Sequence, residues 1–312
     1  MLADTPRRPA TPLFQFLNFW TRGLASRPGA GVALALLLVI IAAAVFAPLL
    51  APFNPYDLTQ LDLFDSHLPP SFIEGGSPRY LLGTDSQGAD LYSLLLYGLR
   101  TSFLVGILAV CVSVSIGLTL GLVSGYARGW PETLIMRMAD IQFTFPAMLL
   151  ALLIGGVGRT FLSAAGQEQM AMLIVVIALG ISHWPHFARL VRAAVIAEAG
   201  KNYVAAARLA GRGHGNILFR QVMPNVLNPV FVLATLDIAF AIMTEATLSF
   251  LGFGMPASQP SLGTLIRIGY NYLFSGEWWI VLFPALLLIV LLVSLTVVGD
   301  WLRDRLDPKL RN

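Results

Sequence analysis

Six long apolar runs divide the 312-residue chain, and the segments between them carry most of its polar and charged residues. A helix needs about 20 consecutive, mostly apolar residues to cross the hydrocarbon core of a bilayer, because each residue rises about 1.5 Å. The runs that satisfy this requirement are approximately Ala30–Leu50, Thr101–Tyr126, Leu134–Val157, Met170–Val191, Val226–Leu251 and Trp278–Val298. We therefore predict an all-α membrane protein with six transmembrane helices, and we expect kinks at Pro146, Pro185 and Pro284.

The composition supports lipid as the solvent for most of the chain. Hydrophobic residues make up 56% of it and charged residues 12%, whereas a soluble domain usually has about 25% charged residues. The net charge is +3, and no aromatic-basic groove is apparent in the short loops, which argues against a nucleic-acid partner. The single cysteine, Cys111, lies inside an apolar run, so an internal disulfide and a cysteine-based metal site are both excluded.

The distribution of Lys and Arg predicts the orientation, because these residues are enriched in the cytoplasmic flanks of transmembrane helices. With a cytoplasmic N-terminus, only four of the 20 Lys and Arg residues fall outside, namely Arg79, Arg100, Arg159 and Arg267. Both termini are therefore predicted to be cytoplasmic. The resulting division is an N-terminal segment at 1–29, a first helix at 30–50, an external loop at 51–100, a five-helix core at 101–300 with a cytoplasmic loop at about 198–224, and a C-terminal tail at 301–312.

Motifs that would give the chain its own catalytic chemistry are absent from the sequence. No phosphate-binding G-x-x-x-x-G-K-[ST] loop occurs, because the one Gly-Lys pair, Gly200-Lys201, is followed by Asn202. No H-E-x-x-H and no G-x-S-x-G motif occurs either. We interpret His183 and His186, at the inner end of the fourth run, as interfacial polar residues, since too few further ligands lie nearby to hold a metal. The sequence favours a conduit that is not an enzyme and that binds no metal.

Ionisable residues inside the apolar runs are candidates for function, because a charge in the hydrocarbon core is costly. Asp140 lies three residues after Arg137, and we expect a local ion pair between them. Asp237 and Glu245 are eight residues apart in the fifth run, so they lie about 80° apart around a helix and share a broad face. Glu245 then either lines a path or holds a helix–helix contact. The segment Gly252–Gly276 is a further candidate, as a re-entrant or gate-like piece.

The basic segment Tyr203–Asn225 lies between two apolar runs, and its pattern predicts a helix–turn–helix. Its small-residue helical face is predicted to comprise Tyr203, Ala206, Ala207 and Ala210. Gly211 stands where a helix would end in the left-handed conformation. Asn216 is expected to cap a second helix, and Pro224 to break the chain before the fifth run. The pattern alone leaves two interpretations open, a docking surface for a partner and a solvated basic loop.

Several motifs resemble those of one transporter family. The spacing of Ala206, Ala207, Gly211 and Pro224 is similar to that of the "EAA" loop of ABC-importer permeases. The stretches LLGTDSQGADLYSLLLYGLRTSFLVG (Leu81–Gly106), TEATLSFLGFG (Thr244–Gly254) and GDWLRDRLDPKLR (Gly299–Arg311) resemble segments of its oligopeptide/dipeptide branch. The resemblance covers about Arg79 to Arg311, with a looser match before it. The residues that match the outer-face motif are Gly83, Thr84, Asp85, Gly88, Asp90 and Arg100.

The chain departs from this family at three positions. Ala205 stands where the loop usually has Glu, so an ion pair commonly assigned to that Glu is not carried over. Ala89 and Leu94 stand where the outer motif usually has Arg, which leaves Asp85 and Asp90 less neutralised.

The resemblance implies a type I ABC-importer permease fold in the bacterial inner membrane, with a cytoplasmic coupling helix between helices four and five. It implies uptake of dipeptides or oligopeptides together with a second permease, an external substrate-binding protein and two ATPases, which bind ATP and Mg²⁺ while this chain binds no cofactor. The ATPase-docking residues would be Tyr203, Ala205, Ala206, Ala207, Arg208, Gly211, Arg212 and Pro224. Two alternatives stay open: import of a nickel chelate, glutathione or another small ligand, and ion-driven transport with Asp140, Asp237 or Glu245 as a carboxylate relay.

Overall fold

The computed structural model describes residues 27–57, 62–127, 129–161 and 163–306. Its helices are α1 (Pro28–Val45), α2 (Ala47–Leu50), α3 (Leu91–Ala127), α4 (Trp130–Thr144), α5 (Ala147–Thr160), α6 (Ala164–Ala199), α7 (Asn202–Leu209), α8 (His214–Ile217), α9 (Met223–Phe250), α10 (Leu262–Tyr270) and α11 (Trp279–Leu306). Among the described residues, β-type pairing is limited to an isolated bridge between Thr84 and Asp90. The all-α prediction is confirmed. Most of the predicted N-terminal segment (1–26) and the end of the predicted tail (307–312) lie outside the described residues.

Five helical segments of the described chain are long and apolar enough to cross a membrane, and the bent pair α4–α5 makes a sixth if it is counted as one span. The bend is 93° and falls at Pro146. Phe145, the residue before it, has an extended backbone (φ −95°, ψ 132°), because a proline ring disfavours the helical conformation in its predecessor. Pro185 and Pro284, in contrast, lie inside α6 and α11, which continue through them.

Helix α3 begins ten residues earlier than its apolar run predicts. Its 37 residues give a length of about 55 Å, which exceeds the thickness of a bilayer with its headgroups, about 40–45 Å. Asp90 caps the helix, since its carboxylate accepts hydrogen bonds from the backbone N–H of Ser93 (2.9 Å) and from the Ser93 hydroxyl (2.6 Å). The last ten residues of the predicted external loop, 91–100, are therefore helical and form the first turns of α3.

Helices α3 and α6 pack with almost no space between their backbones. Three glycines one turn apart on α3 face large residues one turn apart on α6: Gly117 lies against Phe187, Gly121 against Val191 and Gly125 against Val195. A Cβ atom built on Gly121 would lie 2.6 Å from the Cβ of Val191, too close for any real contact. In lipid no water is expelled when two helices associate, so the contact depends on close packing, which small residues of this kind permit.

A second group of helices, α1, α10 and α11, packs around the other end of α3 and around α9. The beginning of α1 and the end of α11 meet in an ion pair between Arg27 and Asp304, whose charged atoms are 2.5 Å apart. The beginning of α1 and the end of α11 therefore lie on the same face of the bundle. Trp279 at the start of α11 donates to the carbonyl of Thr84, close to the start of α3 (3.4 Å), so the ends of α11 and α3 lie at the opposite face. That face also holds α7, because Tyr126 at the end of α3 contacts His214 of the loop edge-on.

Candidate functional site

The loop between α6 and α9 forms the helix–turn–helix that its sequence predicts. Helix α7 ends in a tight turn in which the N–H of Arg212 bonds to the carbonyl of Ala207 (3.1 Å) and that of Gly211 to the carbonyl of Arg208 (3.0 Å). This pair of bonds is the Schellman arrangement, and it requires a left-handed residue, here Gly211 with φ of +74°. The predicted conformation of Gly211 is therefore observed.

The exposed face of α7 differs from the predicted one. Val204 and Ala207 are buried against the protein's own bundle, so Ala207 does not share a free face with Ala206. Leu209, which the sequence analysis did not single out, is 91% exposed. The free surface is formed by Ala205, Ala206, Arg208, Leu209, Ala210, Gly211 and Arg212. The sequence signal available for the buried side was the apolar residue Val204, three positions before Ala207. This i, i+3 spacing places both residues on one side of a short helix.

Tyr203 ties α7 to both neighbouring transmembrane helices. Its hydroxyl donates to a carboxylate oxygen of Glu198 at the end of α6 (2.6 Å) and accepts from the side-chain amide of Asn225 in α9 (3.2 Å). Glu198 also pairs with Lys201 at 2.5 Å. One side chain thus links α7 to both α6 and α9 by hydrogen bonds.

Two details of the second helix were predicted incorrectly. Helix α8 begins at His214 after Gly213, so Asn216 lies inside the helix and does not cap it. Pro224 does not break the chain, because it stands in the first turn of α9, which continues from α8 through the π-helical turn Leu218–Val222. The wider turn accommodates a proline ring that would clash with the carbonyl one turn earlier in a regular α-helix.

Glu245 lies in a buried network of hydroxyl groups. The residue is fully buried, and its carboxyl oxygens accept hydrogen bonds from Ser249 (2.6 Å) and from Ser102 on α3 (3.2 Å). The same two hydroxyls accept the backbone N–H groups of Met255 (2.9 Å) and Leu262 (3.1 Å). Of the two alternatives for Glu245, the geometry is that of a helix–helix contact, which also holds the segment that connects α9 to α10.

Asp237 is not part of this network and contacts a histidine of another helix. One of its carboxylate oxygens is 2.9 Å from Nδ1 of His183 on α6, and both residues are buried. His183 is therefore not the interfacial residue that the sequence predicts. The His183 side chain lies inside the bundle, where Asp237 of α9 supplies a carboxylate partner. His186 is exposed and packs edge-on against Phe143 (centroids 4.7 Å apart). No group of three His, Cys, Asp or Glu side chains suited to a metal occurs among the described residues.

Asp140 does not pair with Arg137, as predicted, but with Arg189 of α6, at 2.6 Å. Both side chains are about half exposed, and the Arg189 guanidinium also stacks over the Phe143 ring at 3.9 Å from its centroid. A second pair, between Arg192 and Glu132, joins the same two helices. The pairing is between helices because α4 and α6 run side by side there, which residue spacing within one run does not reveal.

The outer-face motif forms a tight turn that leads into α3. Gly83 and Gly88 adopt φ of +83° and +77°, and a Cβ on Gly88 would lie 2.0 Å from the carbonyl oxygen of Asp62. One carboxylate oxygen of Asp85 accepts the N–H groups of Gln87 (2.8 Å) and Ala89 (2.9 Å). Burial raises the pKa of Asp85, opposed by these amide hydrogen bonds. Burial likewise raises the pKa of Asp90, against the hydrogen bonds from Ser93.

The segment Gly252–Gly276, predicted as a re-entrant or gate-like piece, contains helix α10. Ser261 caps this helix by accepting the N–H of Thr264 at 3.3 Å. Leu262 and Leu265 are buried among residues of α3 and α11. The segment is thus packed against the bundle in this structure.

A family model described as "Binding-protein-dependent transport system inner membrane component" matches residues 117–312, more than half of the chain. The chain belongs to this family. A second model, described as the N-terminal TM domain of oligopeptide transport permease C, matches residues 16–70 of the permease. The permease is therefore a multi-pass protein of the inner membrane, as its apolar helices indicate.

The permease is similar to curated proteins over nearly its full length. It is 39% identical over 295 residues to the di/tripeptide transport system permease protein DppC of Pseudomonas aeruginosa, covering 95% of this chain and 92% of that protein. It is 38% identical to the dipeptide transport system permease protein DppC of Escherichia coli K12, covering 97% and 95% of the two chains. These relatives confirm the resemblance seen in the sequence motifs.

The fold has a solved counterpart. A structure described as an inward facing conformation of the MetNI methionine ABC transporter superposes with a TM-score of 0.54 at 18% identity, covering 68% of the permease and 96% of that chain. The permease therefore has the type I ABC-importer fold.

Proposed function

We propose that this permease imports dipeptides or oligopeptides as one half of a translocation pathway driven by ATP. The observation that carries the proposal is the 39% identity, over 95% of the chain, to a protein named for di/tripeptide transport. The sequence has no phosphate-binding loop of its own, which supports a non-enzymatic subunit that depends on separate ATPases.

The complete importer would contain a homologous second permease, two cytoplasmic ATPases that bind ATP and Mg²⁺, and a substrate-binding protein on the outer side. The excess of Lys and Arg at the loop 198–224 supports a cytoplasmic position for α7. Because Arg27, Asp304 and α7 share one face of the bundle, the beginning of α1 and the end of α11 are then cytoplasmic as well.

The exposed face of α7 is the proposed docking surface for an ATPase. Leu209 offers an apolar side chain to a groove, while Arg208 and Arg212 contribute charge that sets the register more than the affinity. When the ATPases close on ATP, α7 moves with them, and Tyr203 passes the motion to α6 and α9 through Glu198 and Asn225. Alternating access follows as the two permeases rock about a central site.

The coupling role is tested by Gly211→Trp with Gly211→Asn as its control. Asn tolerates the left-handed conformation that Gly211 adopts, whereas Trp is strained there and protrudes into the docking surface. We expect Gly211→Trp to abolish uptake of radiolabelled dialanine and the ATPase stimulation by loaded binding protein, with normal membrane insertion. Gly211→Asn should retain most of both activities. Normal coupling in the Trp variant would refute the docking role.

The transport class is tested in proteoliposomes that contain the complete importer. Uptake of dialanine should require ATP and should stop when the ATPases carry a substitution that blocks hydrolysis. Uptake that persists under a proton gradient without hydrolysis would instead favour the ion-driven alternative. Nickel chelates or glutathione competing with dialanine at equal concentration would favour the alternative substrates.

A further inference from the structure

A cavity of about 360 Å³ opens at the end of α3 that lies opposite the α7 face. Arg100, which contributes to its wall, is 27 residues from Ala127, the residue at the other end of the helix, and therefore about 40 Å from it. The cavity thus lies at the outer mouth of the permease. Its size falls within the range of small-ligand pockets, about 300–1,000 Å³. The lining residues used below are Tyr56, Tyr97, Arg100, Thr101, Met172 and Gln259.

Arg100 brings a cationic group to this cavity. Its side chain is exposed, and no carboxylate of the described part of the chain pairs with it. Arg79, the other described arginine of the outer loop region, lies 3.9 Å from the Asp65 carboxylate and stacks over the Phe53 ring. The five N–H donors of an arginine match a carboxylate in a bidentate arrangement, so Arg100 is suited to bind an anionic group from outside the chain.

The remaining walls of the cavity suit a small peptide. Tyr56 and Tyr97 meet edge-on with centroids 5.1 Å apart, and they give a rigid aromatic wall beside the guanidinium. Met172 from α6 adds an adaptable apolar surface. Gln259, from the segment between α9 and α10, adds an amide group that can donate and accept hydrogen bonds. A short peptide suits these groups. Its carboxylate can pair with the guanidinium, its apolar side chain can contact the tyrosines and Met172, and its backbone can bond to Gln259.

We propose that this cavity is an entry subsite in which Arg100 binds the terminal carboxylate of a peptide released from the binding protein. This inference rests on the proposed function and gives it a residue-level location. Tyr56 and Tyr97 would contact the C-terminal side chain, and Gln259 would bond to the peptide backbone. A peptide whose carboxylate is converted to an amide then loses the charged partner of Arg100.

Direct binding is measured by saturation-transfer NMR on the complete importer in nanodiscs, with no binding protein present. The variants are Arg100→Gln and, as a matched control, Arg79→Gln. The probes are dialanine and dialanine amide in phosphatidylcholine discs. We expect the wild type and Arg79→Gln to bind dialanine about tenfold more tightly than the amide, and Arg100→Gln to bind both as weakly as the amide, since one charge-assisted contact is lost. Equal dialanine binding by Arg100→Gln and Arg79→Gln would overturn the proposal.

Two other partners of Arg100 give different results. If Arg100 binds lipid phosphate instead, the wild type should not distinguish dialanine from its amide in phosphatidylcholine discs. Adding the anionic lipid phosphatidylglycerol should then change the thermal stability of the wild type but not of Arg100→Gln. If Arg100 contacts the binding protein, Arg100→Gln should raise the KM for loaded binding protein while dialanine binding stays unchanged. Either result overturns the subsite.

Failure of the subsite is distinguishable from failure of the proposed function. If the protein does not import peptides, the wild-type importer takes up no dialanine with ATP and binding protein present. If only the subsite is wrong, wild-type uptake is normal and the maximal uptake rate of Arg100→Gln equals that of Arg79→Gln.

Discussion

Helix α3 is held to its neighbours in two different ways at its two ends. Toward the α7 end, Gly117, Gly121 and Gly125 let it lie directly against α6. Toward the outer end, its contact with α9 includes Ser102, whose hydroxyl donates to the buried Glu245. Close packing at these glycines fixes α3 against α6, whereas at the outer end buried hydrogen bonds add to the close contact of Gly106 with Ile242. The comparison indicates that α3 and α6 behave as one rigid body, while the outer contact depends on polar groups as well as on packing.

This division suits the proposed coupling. In that proposal, a force received by α7 would reach α6 at Glu198, and the glycine contact would carry it on to α3. At the outer end, the Glu245 network holds the chain between α9 and α10 through the N–H groups of Met255 and Leu262. The chain between α9 and α10 that this network holds also contributes Gln259 to the outer cavity.

The largest effect is expected from Gly121→Leu, which forces apart the close contact. The Cβ atom alone would lie 2.6 Å from Val191, so the helices must separate along their length. Overpacking of this kind costs about 1–3 kcal/mol, and more where a backbone contact is lost. We expect little folded importer after detergent extraction, measured by size-exclusion chromatography. Gly156→Leu on α5, where a Cβ would meet nothing within 4 Å, is the control and should yield normal amounts.

If Gly121→Leu and Gly156→Leu give equal yields of folded importer, the α3–α6 contact does not behave as a rigid unit. The comparison between the two ends of α3 would then fail, because the glycine contact would not be what holds α3 against α6.

An intermediate effect is expected from Glu245→Leu. The substitution leaves the hydroxyls of Ser102 and Ser249 without their acceptor in a buried site, at a cost of about 1–3 kcal/mol for each unsatisfied group. Glu245→Gln keeps an acceptor oxygen and should lose less. The measurement is thermal unfolding of the purified importer, in which the Leu variant should unfold at a lower temperature than the Gln variant. A Leu variant as stable as the wild type would show that packing alone holds this end.

The transmembrane pattern and the turn at Gly211 could be predicted from the sequence, because both depend on local signals of apolar length and glycine position. The partners of Asp140 and His183 could not, since they lie on helices that are distant in sequence and are brought together only by packing. The glycines at 117, 121 and 125 of α3 are a sequence signal that could have predicted its close contact with another helix. The cavity at Arg100 combines residues from four separate segments, which no single motif reveals.

The smallest effect is expected for the exposed ion pair between Asp140 and Arg189. Both side chains are about half exposed, so solvent screens their attraction, and a double-mutant cycle with Asp140→Ala and Arg189→Ala should give a coupling of about 0.2–1 kcal/mol in the isolated subunit. The same cycle in the assembled importer tests where this face lies. A coupling several times larger there would mean that the second permease excludes water from the pair, since desolvated charges interact more strongly. An unchanged coupling would mean that the face stays wet, as a translocation path requires.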